Sequence, residues 1–228
     1  MLTTLAIGSP GDDTTGSNAG AVFIVLGSTL DGVGGPAVVA PNFTLTGEAE
    51  GDQFGASVDI AGDVDGAGAD DVIVGAPYKG AGAYRAGKAY IFYASLATGT
   101  TGAADANVGL EGEADGDWAG ENVASIGDVN SDGCDDVVIA APNSGFVGAN
   151  GGLSYLVYGC SLADGTAPIA TAQARFMPSP GDYMGIGQAG PVGWLDFTGD
   201  GVADFLLASP YNVNGGGQSG AIFGFAGR

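Results

Sequence analysis

Short apolar blocks closed off by Gly, Asp or Pro run along the whole chain; Val72-Ile73-Val74, Val137-Val138-Ile139 and Phe205-Leu206-Leu207 are typical. Blocks this short between turn formers predict buried strands. No stretch carries a helical stripe, and no apolar run approaches the ~18 residues that suggest a membrane-spanning helix. The blocks recur in register. Pro10, Pro77, Pro142 and Pro210 each close one, and each is followed ten residues later by a glycine: Gly20, Gly87, Gly152 and Gly220. An alternating strand follows each glycine, over 21–25, 88–92, 153–157 and 221–223. Asp-rich stretches open at Asp63, Asp128 and Asp196, spaced 65 and 68 residues apart.

A repeat of ~65 residues holding four short strands fits one blade of a β-propeller. Lettered A to D from the inside outward, strand A is expected near 56–60, 122–126 and 186–189. Strand B is expected near 4–7, 71–74, 136–140 and 204–208, and strand D near 43–46, 108–111 and 175–177. Strand C is the one behind each repeated glycine. Residues 98–104 read as a C–D loop. The chain thus reads BCD, ABCD, ABCD, ABC. It is an all-β chain of about three and a half blades of four antiparallel strands, with a ring not closed by this chain alone. The divisions fall at 1–50 (partial blade), 51–115, 116–180 and 181–228 (partial blade), within one propeller-like domain.

The Asp stretches carry the chemistry. From Asp128, oxygen side chains stand at positions 1, 3, 5 and 9 of a nine-residue loop: Asp128, Asn130, Asp132 and Asp136. The backbone carbonyl of Cys134 is available at position 7. Oxygen donors at this spacing, wrapped by a glycine at position 6, suit a hard cation with six to eight ligands, which is calcium. The last loop repeats the set with Asp196, Thr198, Asp200, the carbonyl of Val202, and Asp204. The first has Asp63, Asp65 and Asp71 but Ala67 at position 5, so a weaker third site is expected there. An EF-hand is excluded, because its twelfth position needs a bidentate Glu. Here that position is Val74, Ile139 or Leu207, each inside strand B.

These segments resemble the FG-GAP repeats of integrin alpha-subunit propellers and their bacterial secreted relatives. Gln53-Phe54-Gly55-Ala56-Ser57-Val58, Ala61-Gly62-Asp63 and Gly75-Ala76-Pro77 carry the resemblance. Trp118-Ala119-Gly120, Gly127-Asp128 and Ala140-Ala141-Pro142 take the same places in the next repeat. Tyr183-Met184-Gly185 and Ala208-Ser209-Pro210 do so in the last, and Gly8-Ser9-Pro10 is the first GAP-like element. The resemblance implies calcium in the loops and a propeller used for adhesion or ligand recognition, without catalysis.

Composition narrows this further. With 26 acidic and 5 basic residues the chain carries a formal charge of −21. It cannot wrap a nucleic-acid backbone or sit on an anionic membrane through a basic patch. It has no His, which removes Ser–His–Asp catalysis and His-ligated zinc. The remaining acids, Glu48, Glu50, Asp52, Glu111, Glu113, Asp115 and Asp117, read as solvated D–A loops rather than a glycosidase carboxylate pair. Trp118 and Trp194 read as core residues. Cys134 and Cys160 fall at one end of a blade, so a disulfide and two free thiols both remain open. Residues 1–10 lack the basic and apolar regions of a signal peptide. Asn42-Phe43-Thr44 is a glycosylation sequon.

The expected function is a non-enzymatic, calcium-stabilised extracellular or cell-surface module. It self-associates through open blade edges, as a homo-oligomer or with a neighbouring propeller segment. The alternative is an adhesion propeller recognising an extracellular protein or glycan.

Overall fold

The computed structural model describes residues 4–30, 39–80, 85–95, 98–146, 151–177, 192–210 and 220–228. In chain order its strands are β1 (Leu5–Ser9), β2 (Ala21–Val25), β3 (Phe43–Thr46), β4 (Ser57–Gly62), β5 (Asp71–Ala76), β6 (Lys88–Phe92), β7 (Gly99–Gly102) and β8 (Val108–Glu111). They continue with β9 (Asn122–Gly127), β10 (Asp136–Ala141), β11 (Leu153–Val157), β12 (Gly165–Pro168), β13 (Ala174–Phe176), β14 (Val192–Leu195), β15 (Asp204–Ser209) and β16 (Ala221–Phe225). They form four sheets, which do not close into a ring: sheet 1 is β1-β2-β3-β7, sheet 2 is β4-β5-β6-β8-β12, sheet 3 is β9-β10-β11-β13 and sheet 4 is β14-β15-β16.

Two strands depart from the antiparallel expectation. β7 and β12 lie in the C–D connections of their own repeats, yet each pairs in parallel with the outer strand of the preceding sheet, β7 on β3 and β12 on β8. The free edge of the earlier sheet thereby satisfies backbone groups that a surface loop would leave to water. Strand A of the last repeat, expected over 186–189, lies outside the described residues. The strand that pairs with β15 is β14 at 192–195, which ends directly before Asp196, as β9 ends before Asp128.

Alternating side chains make each sheet apolar on both faces, and three cores result. Val22, Ile24 and Leu45 of sheet 1 pack with Val72, Val74, Tyr90 and Phe92 of sheet 2. Ile73, Ala89 and Ile91 pack with Val137, Ile139, Tyr155 and Val157 of sheet 3. Ile126, Val138 and Leu156 pack with Phe205 and Leu207 of sheet 4. The inner strands β1, β4, β9 and β14 follow one another side by side.

Close backbone contacts explain the repeated glycines. Gly20 and Gly87 hold φ values of 89° and 82° and form parallel bridges to Phe54 and Ala119 of the next repeat. A Cβ on either would overlap a carbonyl oxygen of that neighbour. Gly8 and Gly75 likewise face the carbonyls of Gly55 and Gly120. The Phe-Gly element of one repeat thus docks on the Gly-containing element of the repeat before it. Phe54 is fully buried there, edge-on to Tyr90 and Phe92, with ring centroids 5.4 and 6.2 Å apart.

An amide side chain ahead of each outer strand has a role the sequence reading missed. Oδ1 of Asn42, Oδ1 of Asn107 and Oε1 of Gln173 accept the backbone N–H groups of Leu26, Tyr93 and Tyr158, at 2.8–2.9 Å. Asn42, the sequon residue, thus ties the end of β2 to the start of β3.

Candidate cation-binding loops

In sheets 2 and 3 the A–B hairpin irregularity, at Ile60/Gly62 and at Asp136/Val137, marks where the chain leaves the ladder for an Asp loop. The loops share one hydrogen-bond scheme. The carboxylate at position 1 accepts the N–H of the glycine at position 6: Gly68 to Asp63, Gly133 to Asp128 and Gly201 to Asp196, all at 2.9 Å. Position 5 accepts the N–H of position 7, Cys134 to Asp132 at 3.0 Å and Val202 to Asp200 at 2.9 Å. Position 3 accepts the N–H of position 5, Ala67 to Asp65 and Asp132 to Asn130, both at 2.9 Å. Thr198 differs, donating its hydroxyl to Asp196 at 3.4 Å.

Position 9 does more than the spacing predicts. Asp71, Asp136 and Asp204 are all fully buried at the start of strand B. One oxygen of each accepts an N–H from its own loop: Val64, Val129 and Thr198, at 2.9–3.0 Å. The other accepts an N–H from the segment just beyond strand C: Ala94, Gly159 and Gly227, at 2.8–3.0 Å. Each of these carboxylates staples a loop to the end of a neighbouring strand. Burial raises the proton affinity of two of them, pushing Asp71 up to about 6 and Asp136 up to about 7, whereas at Asp204 burial is outweighed by the N–H groups of Gly227 and Thr198, which hold it below its ordinary value.

The first loop, expected to be the weakest, is the one that gathers carboxylates. Oxygens of Asp63, Asp65 and Asp71 lie within 4.8 Å of one another. Oδ1 of Asp63 is buried and accepts no hydrogen bond. A buried anionic oxygen without a donor fits a cation, so this cluster is compatible with one. Among the described residues Asp128, Asp132 and Asp136 do not converge in this way, and neither do Asp196, Asp200 and Asp204. Their position-1 carboxylates are taken up by loop N–H groups, and Asn130 Nδ2 donates to Asp132 at 2.9 Å.

Cys134 and Cys160 are joined in a disulfide, with Cα atoms 5.5 Å apart. Their sulfurs are therefore not thiolate ligands for a metal beside Asp132. The backbone carbonyl of Cys134 stays available.

The opposite end of the sheets holds another unforeseen network. Tyr90 donates its hydroxyl to Glu48 and Tyr155 donates to Glu113, both at 2.9 Å. Lys79 bridges Glu48 and Asp52 at 2.9 and 3.0 Å, and Arg175 meets Glu113 at 3.0 Å. Asp52 and Asp117 are buried and accept the N–H groups of Ala49 and Ala114 at 3.1 Å. Glu48, Asp52, Glu113 and Asp117 are therefore held in a framework, while Glu50 and Asp115 are exposed as a solvated loop predicts. Burial and the adjacent carboxylates push both tyrosine hydroxyls far above their usual range. The shared 65-residue spacing of Glu48 with Glu113 and Tyr90 with Tyr155 was the signal available for them. Trp118 is only half-buried, edge-on to Tyr78 with centroids 5.5 Å apart.

Stacked small sheets, three of them with an Asp loop between their first two strands, define a propeller-type repeat module. Residues 119–157 match the FG-GAP repeat family, and the chain shows distant homology to integrin alpha subunits. It is 37% identical over 90 residues to integrin alpha-E of Mus musculus, covering 38% of this chain and 8% of that protein. It is 29% identical over 170 residues to phosphatidylinositol-glycan-specific phospholipase D of Rattus norvegicus, covering 68% of this chain and 18% of that protein. The chain thus spans less than a fifth of the length of either relative.

Proposed function

We propose that this chain is a non-enzymatic, calcium-stabilised extracellular structural module. It is built of about three and a half β-propeller blades and self-associates through open blade edges into a ring or filament. The observation that carries the calcium reading is the buried, donor-less Oδ1 of Asp63 facing Asp65 and Asp71. Asp63, Asp65 and Asp71 would hold one ion. Asp128, Asn130, Asp132, Asp136 and the Cys134 carbonyl would hold a second. Asp196, Thr198, Asp200, Asp204 and the Val202 carbonyl would hold a third. A bound ion would supply positive charge to loops whose carboxylates otherwise rely on backbone N–H groups.

Self-association is supported by β1 and β16, each of which has a partner on one side only among the described strands. The disulfide supports an oxidising, extracellular setting. Sedimentation velocity in calcium and in EDTA tests the assembly, and a monomer in calcium at every concentration overturns it. An unchanged melting temperature on chelation overturns the calcium assignment.

A second reading, ligand recognition by loops at the D–A end, has its own support. A cleft of about 390 Å³ there is lined by Glu50, Asp52, Tyr78, Lys79 and Arg85. The Arg85 guanidinium lies 4.7 Å from the centre of the Tyr78 ring. Aromatic surface beside paired charges suits an extracellular protein or glycan. A binding screen against both classes, repeated with Tyr78→Ala, tests it. Binding unaffected by that substitution excludes this cleft.

A further inference from the structure

The three sheet-on-sheet interfaces within the chain share one design, and the two outer faces of the stack carry the same kinds of pairs. In sheet 2 the cross-strand pairs Val72–Phe92 and Val74–Tyr90 form the face turned toward sheet 1. In sheet 3 the corresponding pairs are Val137–Val157 and Ile139–Tyr155, and in sheet 4 they are Phe205–Phe225 and Leu207–Phe223. Each set packs on the back of the sheet before it. Sheet 1 carries the same set in the same register, Leu5–Val25 and Ile7–Phe23. There, however, Leu5 and Ile7 are 46% and 47% exposed, whereas Val72 and Val74 are 6% and 0% exposed.

The back of sheet 4 is the other outer face. Leu206 and Ile222 occupy the places of Ile73 and Ala89 in sheet 2, which are fully buried. Ile222 is 71% exposed. Phe197, 49% exposed, lies beside Leu206 on this face, and both reach the space over Gly224. Contiguous apolar groups left open in this way mark an interaction surface.

We propose that the face of sheet 1 bearing Leu5 and Ile7 packs on the face of sheet 4 bearing Phe197, Leu206 and Ile222 in a second copy of this chain. The occupant is read from the chain itself, because each face matches one that the chain buries against its own next sheet. This rests on the self-association reading and specifies it: sheets stack face to face, and strands are not added at an edge. The contact is head-to-tail, and two copies joined by two such contacts close a ring of eight sheets. Eight lies within the blade number of known propellers.

The test is sedimentation equilibrium of the full chain in calcium-containing buffer, with Ile7→Asp and Ile222→Asp as separate variants. Phe146→Asp is the control, since Phe146 is 60% exposed and lies off both faces. The expected result is a dimer for the parent and the control. Each face variant should weaken association on the order of tenfold or more, since a buried isoleucine is replaced by a buried charge. Both target side chains are exposed in the single chain, so their thermal melts as monomers should match the parent. The two variants lie on different sheets, so the loss must appear in both. An oligomer indifferent to both substitutions overturns face packing and leaves edge pairing standing. A parent that stays monomeric overturns both readings.

Discussion

Asp136 separates two roles that the Asp loops combine. It is fully buried and accepts the N–H groups of Val129 and Gly159, both at 3.0 Å. Asp136→Ala leaves both donors buried without an acceptor, at about 1–3 kcal/mol each. Removing a carboxylate whose burial is unfavourable offsets part of this, so a net loss of about 2–4 kcal/mol is expected. For a chain of this size that corresponds to roughly 4–16 °C in Tm. The comparison is Asp132→Ala in the same loop, at an exposed position that accepts from Cys134 N–H and from Asn130. In EDTA, Asp132→Ala should lie within about 1 kcal/mol of the parent. In calcium, it should lose the cation's contribution, which is about 2.7 kcal/mol at a hundred times the dissociation constant. Thermal melts followed by circular dichroism, with and without EDTA, read both effects. If Asp136→Ala melts with the parent in EDTA, the staple carries no stability and the reasoning fails.

Acidity should act on the same groups. Folded-state values of about 6 for Asp71 and about 7 for Asp136 lie above the unfolded carboxylate range, so the folded chain binds more protons between about pH 4 and 7. In EDTA, stability should therefore rise as pH falls from 7 to 5. Melts that fall steadily over that interval contradict the assignment, and Asp136→Asn should flatten the slope. Gly20→Ala forces a side chain into a φ of 89° and into the Phe54 carbonyl, so a loss of roughly 2–4 kcal/mol is expected in urea titrations. A neutral outcome there removes the explanation of the repeated glycine. The Cys134–Cys160 bond spans 26 residues, and the double alanine variant should be less stable by about 3–4 kcal/mol. Equal denaturation midpoints for variant and parent would show the bond to be dispensable.

The parts of the fold legible from sequence are those with local causes. Strands B and C are bounded by their own Pro and Gly and stand where the spacing put them. β7 and β12 were not legible, because Gly99–Gly102 and Gly165–Pro168 have no alternating apolar pattern. They are strands only because the preceding repeat offers an edge. Position 9 of each loop was legible as a cation ligand but not as a staple, since Ala94, Gly159 and Gly227 donate from some 23 residues away. In the sequence the first loop stands out by the missing side-chain oxygen at Ala67. What distinguishes it is the donor-less oxygen of Asp63, which no residue count reports.

The two ends of the sheets divide the charge between them, and this bears on the excess of −21. At the D–A end, Lys79, Lys88 and Arg175 are committed to Glu48, Asp52, Glu111 and Glu113. Three of the chain's five cationic side chains are thus spent where the acids are fewer. At the A–B end the loops bring many carboxylates into a small volume and answer them with backbone N–H groups. A backbone donor carries only a partial charge, so it orients a carboxylate without cancelling its repulsion for the next. Asp135 shows the effect: burial and the charges of Asp128, Asp63 and Asp70 raise its proton affinity. Apart from Arg228, whose backbone N–H donates to the Val129 carbonyl, neutralisation at that end must come from protons or from solution cations. Those two sources compete for the same oxygens, so calcium should stabilise the chain more at pH 7 than at pH 5. An equal calcium increment in Tm at both pH values would place the ion away from these loops.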